Sequence, residues 1–227
     1  MHIILLLLLL LALLVVPGVW VQSVMRRYAL PADRYPRTGG QVARELLDSA
    51  GLRDVRVEQT ERGDHYDPLE KVVRLSAGNF DGRSLTAVAV AAHEVGHALQ
   101  DAGGFRPLKW RTRLVRSLQP VEKLGAGLLM VSPFTAMATQ SRVVGVLAFV
   151  AGFLTLASGV VVHFLTLPTE LDASFGRALP LIERRGLLLP GDKPRARKLL
   201  TAAAFTYVAA ALQSLLNIAR WWAILRR

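Results

Sequence analysis

Ala89-Val90-Ala91-Ala92-His93-Glu94-Val95-Gly96-His97-Ala98-Leu99-Gln100 is the stretch on which the reading of this chain turns. It sets H-E-x-x-H in an Ala/Val-rich run that Ser84 can cap, so the segment reads as a helix. Residues i and i+4 of a helix lie one above the other on one face. His93 and His97 can therefore present two imidazoles to one zinc ion, and Glu94, about one step round, can hold and deprotonate a water. The pattern points to a zinc-dependent hydrolase, with peptide bonds the first candidate substrate. Chance copies of the motif are mostly exposed charged helix. Here the polar residues interrupt an apolar run, where unpaired polar groups are costly. Two of the five histidines of the chain fall in this register. Gly96 costs about 1 kcal/mol against Ala in a helix interior, which asks for a packing or site reason.

The composition narrows the setting. The chain has 227 residues, is 52% hydrophobic and carries a net charge of +11. Cysteine is absent, which excludes disulfides, a Cys-based zinc site and a Cys nucleophile. In a soluble protein the charge would suggest nucleic acid. The apolar excess and the lack of a nucleic-acid motif favour a membrane protein with basic cytoplasmic loops.

Four apolar segments are long enough to be membrane spans: residues 3–21, 124–138, 143–165 and 199–219. The first lacks the basic start and small-x-small cleavage site of a signal peptide, so an uncleaved anchor is expected. The second and third, joined at Thr139-Gln140-Ser141-Arg142, read as a helical hairpin, with Pro133 weakening its first arm. The fourth ends in Arg220-Trp221-Trp222, an interfacial signature. Its interior polar residues (Thr201, Thr206, Tyr207, Gln213, Ser214, Asn217) suggest one face turned to protein. Lys and Arg cluster between residues 26 and 118 and between 166 and 198, which places both segments in the cytoplasm by the positive-inside rule. Arg226-Arg227 run against that arrangement.

The expected organisation is therefore an anchor (1–25), a cytoplasmic catalytic region (26–118), a transmembrane hairpin (119–165), a cytoplasmic segment (166–198) and a C-terminal span (199–227). The fold class is a mainly α membrane protein of about four transmembrane helices with a small α+β, zincin-like catalytic unit. Its expected location is the inner or plasma membrane, multi-pass, with the site on the cytoplasmic side.

A catalytic zinc usually takes three protein ligands and a water. Two spans separate residue 118 from residue 166, so the chain returns to the side of His93 and His97 at Pro168-Thr169-Glu170-Leu171-Asp172-Ala173-Ser174. Pro168 suits a helix start there, with Glu170 in the first turns. Glu170 is the first candidate for the third ligand. Asp172 is a rival ligand or an acceptor for a His N–H. Alternatively, both carboxylates only complement a helix N-terminus. His163, inside the third span, is a further rival.

With these residues in view, the chain resembles the YugP-like neutral zinc metallopeptidases, small bacterial membrane proteins. The resemblance covers nearly the whole chain. It rests on the N-terminal anchor, Asp64-His65-Tyr66-Asp67-Pro68 with Lys71-Val72-Val73-Arg74-Leu75-Ser76, the stretch 89–100, Leu165-Thr166-Leu167-Pro168-Thr169-Glu170-Leu171-Asp172-Ala173-Ser174, and Ala202-Ala203-Ala204-Phe205-Thr206-Tyr207-Val208-Ala209-Ala210. Glu170-x-x-Ala173-Ser174 is also similar to the E-x-x-A-D third-ligand motif of HtpX-type membrane peptidases. Ser174 stands where that motif has Asp, so the role of that Asp passes either to Ser174 or to Asp172. The resemblance implies a gluzincin-like arrangement of His93, His97 and Glu170 on one Zn2+ per chain, with Glu94 as base.

Upstream, residues 41–51 read as an amphipathic helix with Val42, Ala43, Leu46, Leu47 and Ala50 on one side and Gly51 closing it. Val55-Arg56-Val57-Glu58 and Lys71-Val72-Val73-Arg74-Leu75 read as two strands, one of which could align an extended peptide by edge pairing. In Asp64-His65-Tyr66-Asp67-Pro68, His65 or Tyr66 could donate to a developing oxyanion. The competing reading is a turn with Asp64 and Asp67 capping backbone N–H groups. Arg177 could stabilise the oxyanion or pair with Asp172, and Tyr207 could face the site or pack between helices. The partners expected are the bilayer and peptide or membrane-protein substrates, not nucleic acid. The alternative function is a membrane scaffold or quality-control adaptor with a structural zinc. An intact Glu94 speaks against it, since structural sites take four protein ligands and need no base.

Overall fold

Thr38 opens the second helix of the chain with a reciprocal cap. Its hydroxyl accepts from the Gln41 N–H while the Gln41 side chain accepts from the Thr38 N–H. The computed structural model describes residues 2–225, with side chains described except at 2, 3, 119, 122, 156 and 213–225. The elements run α1 (His2–Tyr28), α2 (Gly39–Ser49), β1 (Arg56–Gln59), β2 (His65–Asp67), β3 (Val72–Leu75), α3 (Ala77–Phe80), α4 (Leu85–Ala102), α5 (Arg106–Ala138) and α6 (Arg142–Leu171). A π-helix (Asp172–Ala178), α7 (Leu179–Arg184) and α8 (Lys193–Leu225) complete them. The molecule is thus mainly helical with one small sheet.

The chain divides into two compact units. One comprises residues 19–109 and 167–206. Within it α2 buries Val42, Ala43, Leu46 and Leu47 of the stripe its sequence displays, Ala50 is instead the exposed C-cap, and Gly51 follows in the left-handed conformation at φ 75°. The sheet has the order β1-β3-β2. β1 runs parallel to β3, Arg56 opposite Val72, and β2 runs antiparallel to it, His65 opposite Arg74. The central strand β3 buries Val72, Val73 and Leu75. Helix α4 is capped by Ser84, whose hydroxyl accepts from the Ala87 N–H at 3.1 Å. It is nearly all buried, largely apolar up to Ala92, and carries the buried polar residues His93, Glu94, His97 and Gln100 beyond it.

The other unit comprises residues 1–18, 110–166 and 207–227. Its helices α5 and α6 meet through small residues. A Cβ on Gly145 would lie 2.5 Å from the Ala136 Cβ, and one on Gly125 or Gly152 would strike the opposing helix. Such close backbone approach is typical of membrane helix pairs.

Two helical segments among the described residues, rather than the four expected, are long and apolar enough to cross a membrane: Ile4–Tyr28 and Arg142–Arg184. The first arm of the hairpin falls short because Glu122, Lys123, Ser132, Pro133 and Thr135 dilute its apolar run. The second half of the fourth segment, with Gln213, Ser214, Asn217, Trp221 and Trp222, lies beyond the described side chains, and Arg226-Arg227 lie outside the described residues. Pro168 also differs from expectation. It sits inside α6 instead of starting a new helix, and the helix relaxes into the π-helix four residues later. A proline removes one ladder bond and crowds the preceding turn, and a π turn is one way a helix absorbs such a break.

Candidate metal centre

His93 and His97 project from one face of α4, their rings edge-to-face with centroids 4.8 Å apart. Both are buried, as are Glu94 on the same helix and Glu170 in the last turn of α6. The Glu170 carboxylate oxygen Oε2 lies 3.1 Å from His97 Nε2 and 3.3 Å from His93 Nε2. One ligand atom from each of these three residues falls within 4.8 Å of the others. Asp172 and His163 are not in this group.

The far side of each ring decides what the near side can do. His93 Nδ1 lies 2.9 Å from the Ser174 hydroxyl, which itself donates to the Leu200 carbonyl at 2.9 Å. With its proton so committed, Ser174 accepts from the imidazole, and His93 carries its proton on Nδ1. His97 Nδ1 lies 2.9 Å from Gln100 Oε1. The Gln100 amide nitrogen donates to the Thr169 carbonyl and to Asp172 Oδ2, both at 2.8 Å, which fixes the amide with its oxygen toward His97. His97 therefore also carries its proton on Nδ1. Both Nε2 lone pairs then point at a carboxylate oxygen: three acceptors converge in a buried space. Two imidazole nitrogens and one carboxylate oxygen in a buried space are a donor set that suits zinc. The residues present fit a zinc ion.

The π-helix brings this shell together. Gly96 packs against it so closely that a Cβ there would lie 2.5 Å from the Ala173 carbonyl oxygen. That contact is the packing reason its presence in a helix called for. It lets Ser174 reach His93 and Asp172 reach Gln100. Asp172 is therefore linked to His97 through Gln100, whereas Ser174 contacts His93 directly. Arg177 donates to Asp172 at 2.8 Å and to the Leu99 carbonyl at 3.2 Å, and lies over the Phe105 ring. Of its two expected partners it has the carboxylate.

Residues 65–67 of the segment 64–68 form strand β2 rather than a turn, and the two aspartates anchor its ends. Asp64 accepts from the Ser76 N–H and hydroxyl and from Asn79, and Asp67 accepts from the Leu69 and Glu70 N–H groups. His65 Nδ1 pairs with the Gly63 carbonyl at 2.8 Å. The Tyr66 hydroxyl donates to Asp101 at 2.8 Å, an acceptor shared with Lys71, and ties β2 to the end of α4. Neither residue joins the group of ligand atoms. His163 stacks on Tyr207 in the other unit, with Arg111 over the same ring. Gln100 was missed by sequence reasoning. The available signal was its spacing, three residues after His97 on the same helix face.

The family described as "Putative neutral zinc metallopeptidase" matches residues 3–226. The chain is 38% identical over 205 residues to the "Putative membrane protease YugP" of Bacillus subtilis (strain 168), covering 88% of this chain and 86% of that protein. No solved structure matches the chain.

Proposed function

The chain belongs to the neutral zinc metallopeptidase family, and on that premise we propose that it is a membrane-bound zinc endopeptidase. The observation that carries the reading is the convergence of His93 Nε2 and His97 Nε2 on the buried Glu170 carboxylate, with Glu94 next to His93 in the chain. His93, His97 and Glu170 would hold one zinc ion in a gluzincin-like set, on a zincin-like unit formed by the sheet and α4. When bound, zinc lowers the pKa of water toward ~7 and polarises the scissile carbonyl. Glu94 is the general base: it takes the proton of the attacking water and returns it to the leaving amine. Burial of the site excludes bulk water, so the carboxylate acts in a low-dielectric setting where its field is strong. The outer edge of β2, which Tyr66 ties to α4, offers unpaired backbone groups to an extended peptide.

The apolar helices and the basic segments between them support a multi-pass chain in the plasma or inner membrane with the site on the cytoplasmic side. Peptides or membrane proteins near the bilayer are the substrate class that follows.

The test is zinc content and proteolysis of detergent-purified chain, wild type beside Glu94→Gln, on casein and a denatured membrane protein. About one zinc per chain in both, with cleavage by wild type only, is the expected result. A wild type that takes up no zinc after reconstitution would overturn the reading.

A further inference from the structure

His97 is held from behind by a residue the mechanism has not used. Gln100 is fully buried, one turn after His97 on α4. Its oxygen faces His97 Nδ1, and its nitrogen faces Thr169 O and Asp172 Oδ2. Asp172 is in turn held by Arg177. We propose, resting on the zinc reading above, that Gln100 is a positioning residue for the metal: it locks His97 in the tautomer that frees Nε2, and it couples that imidazole to the Asp172–Arg177 pair.

The argument is one of direction. A carboxamide accepts at one end and donates at the other. Turned round, it would set its oxygen against two acceptors, Thr169 O and Asp172, and its N–H against His97. The imidazole would then carry its proton on Nε2 and could not bind a metal. Asp172 and Thr169 thus fix the amide, the amide fixes the tautomer, and the tautomer exposes the lone pair. A carboxylate at position 100 would also accept the His97 proton, but it would meet Asp172 acceptor against acceptor. The amide at 100 lets a carboxylate sit next in line without placing its charge on the metal ligands. A residue that merely filled the core would have no such polarity, and reversing the pair would then bring nothing back.

The test uses the full chain in detergent. Zinc affinity is read by competition with a chromophoric chelator, and ligand geometry by the visible spectrum of the cobalt-loaded protein. Gln100→Met, which keeps the bulk and removes the acceptor, is expected to weaken zinc binding roughly 10–100-fold and to alter the cobalt spectrum. Gln100→Glu is expected to weaken it too. Gln100→Glu with Asp172→Asn, which reverses the pair, should bind zinc more tightly than Gln100→Glu alone. Zinc affinity of Gln100→Met within about twofold of wild type would overturn the inference. So would a double variant no better than the single one, and that comparison decides the matter if Gln100→Met does not fold. A wild type without zinc would overturn the zinc reading and this inference together. Zinc in wild type with indifferent variants would overturn this inference alone.

Discussion

Gly96 of the zinc helix and Ala173 of the π-helix touch backbone to backbone: a Cβ at position 96 would stand 2.5 Å from the Ala173 carbonyl oxygen. Ala at this position gains about 1 kcal/mol of helix propensity. It also forces apart the two elements that carry the site, at a cost of about 1–3 kcal/mol for overpacking. Gly96→Ala is therefore expected to lower the thermal midpoint and to weaken zinc binding, because Glu170 and Ser174 move away from the histidines. Melting curves and chelator competition check it. A higher midpoint with zinc affinity intact would mean that the contact does not set the site.

Ser174 hydrogen-bonds in both directions, accepting from His93 and donating to Leu200. Alanine there leaves the buried His93 N–H without its acceptor, worth about 1–3 kcal/mol, while the Leu200 carbonyl keeps its place in the α8 ladder. Zinc affinity should fall roughly tenfold or more. Aspartate, the residue of the related motif, accepts but cannot donate while ionised. Ser174→Asp should therefore be destabilised as well, with its buried charge set against the Leu200 carbonyl. Calorimetric unfolding of the three proteins tests the order, and a Ser174→Asp as stable as wild type would contradict it.

Legibility in the sequence followed the range of the interactions. The zinc helix, its Ser84 cap and the i,i+4 histidines are local features. So is the apolar stripe of α2, whose start at Gly39 was misjudged by two residues because Thr38, not a later residue, caps it. The strands at 56–59 and 72–75 lie within a residue of the stretches 55–58 and 71–75 read from the sequence, the first of them by its alternation. The strand His65–Asp67 was hidden among turn residues, since it is three residues long and owes its form to pairing with β3. Of the π-helix the sequence shows Pro168, which precedes it by four residues, but not the approach of Ala173 to Gly96, 77 positions apart in the chain. Of the rival ligands Glu170, Asp172 and His163, the sequence puts Glu170 first, and tertiary packing brings its carboxylate to the two histidines.

That choice yields a separable prediction. Glu170→Ala removes a group 3.1 Å from His97 Nε2 and should abolish stable zinc binding. Asp172→Ala removes a partner of Gln100 and should weaken zinc about tenfold, in the manner of an outer contact. His163→Ala should leave zinc affinity unchanged. Metal analysis after gel filtration ranks the three, and retention of zinc by Glu170→Ala would reassign the third ligand.

Asp192 gives the catalytic unit two pH limits. Its fully buried carboxylate accepts from Arg34 twice, at 2.8 and 2.9 Å, from Tyr35 at 2.6 Å and from Arg195 at 2.8 Å. Burial alone would raise its pKa, but the hydrogen bonds from Tyr35, Arg34 and Arg195 outweigh burial and hold it below the usual carboxylate range. A depressed folded pKa means stability that is complete above about pH 4 and is lost as pH falls through the folded value. Tyr35 is pushed up to about 12, first by burial and then by the bond to Asp192 and its charge. A raised folded pKa means stability that is complete below about pH 10 and is lost as pH climbs toward the folded value. Tyr35→Phe should therefore remove part of the alkaline decline and also shrink the acid one, because the Tyr35 bond is the first of those that hold Asp192 down. Asp192→Asn should flatten both and cost about 2 kcal/mol at neutral pH, less than a wholly buried pair because Arg34 and Arg195 keep contact with solvent. Thermal midpoints of the three proteins across pH measure this, and an Asp192→Asn whose acid limb matched wild type would assign the acid sensitivity to other carboxylates.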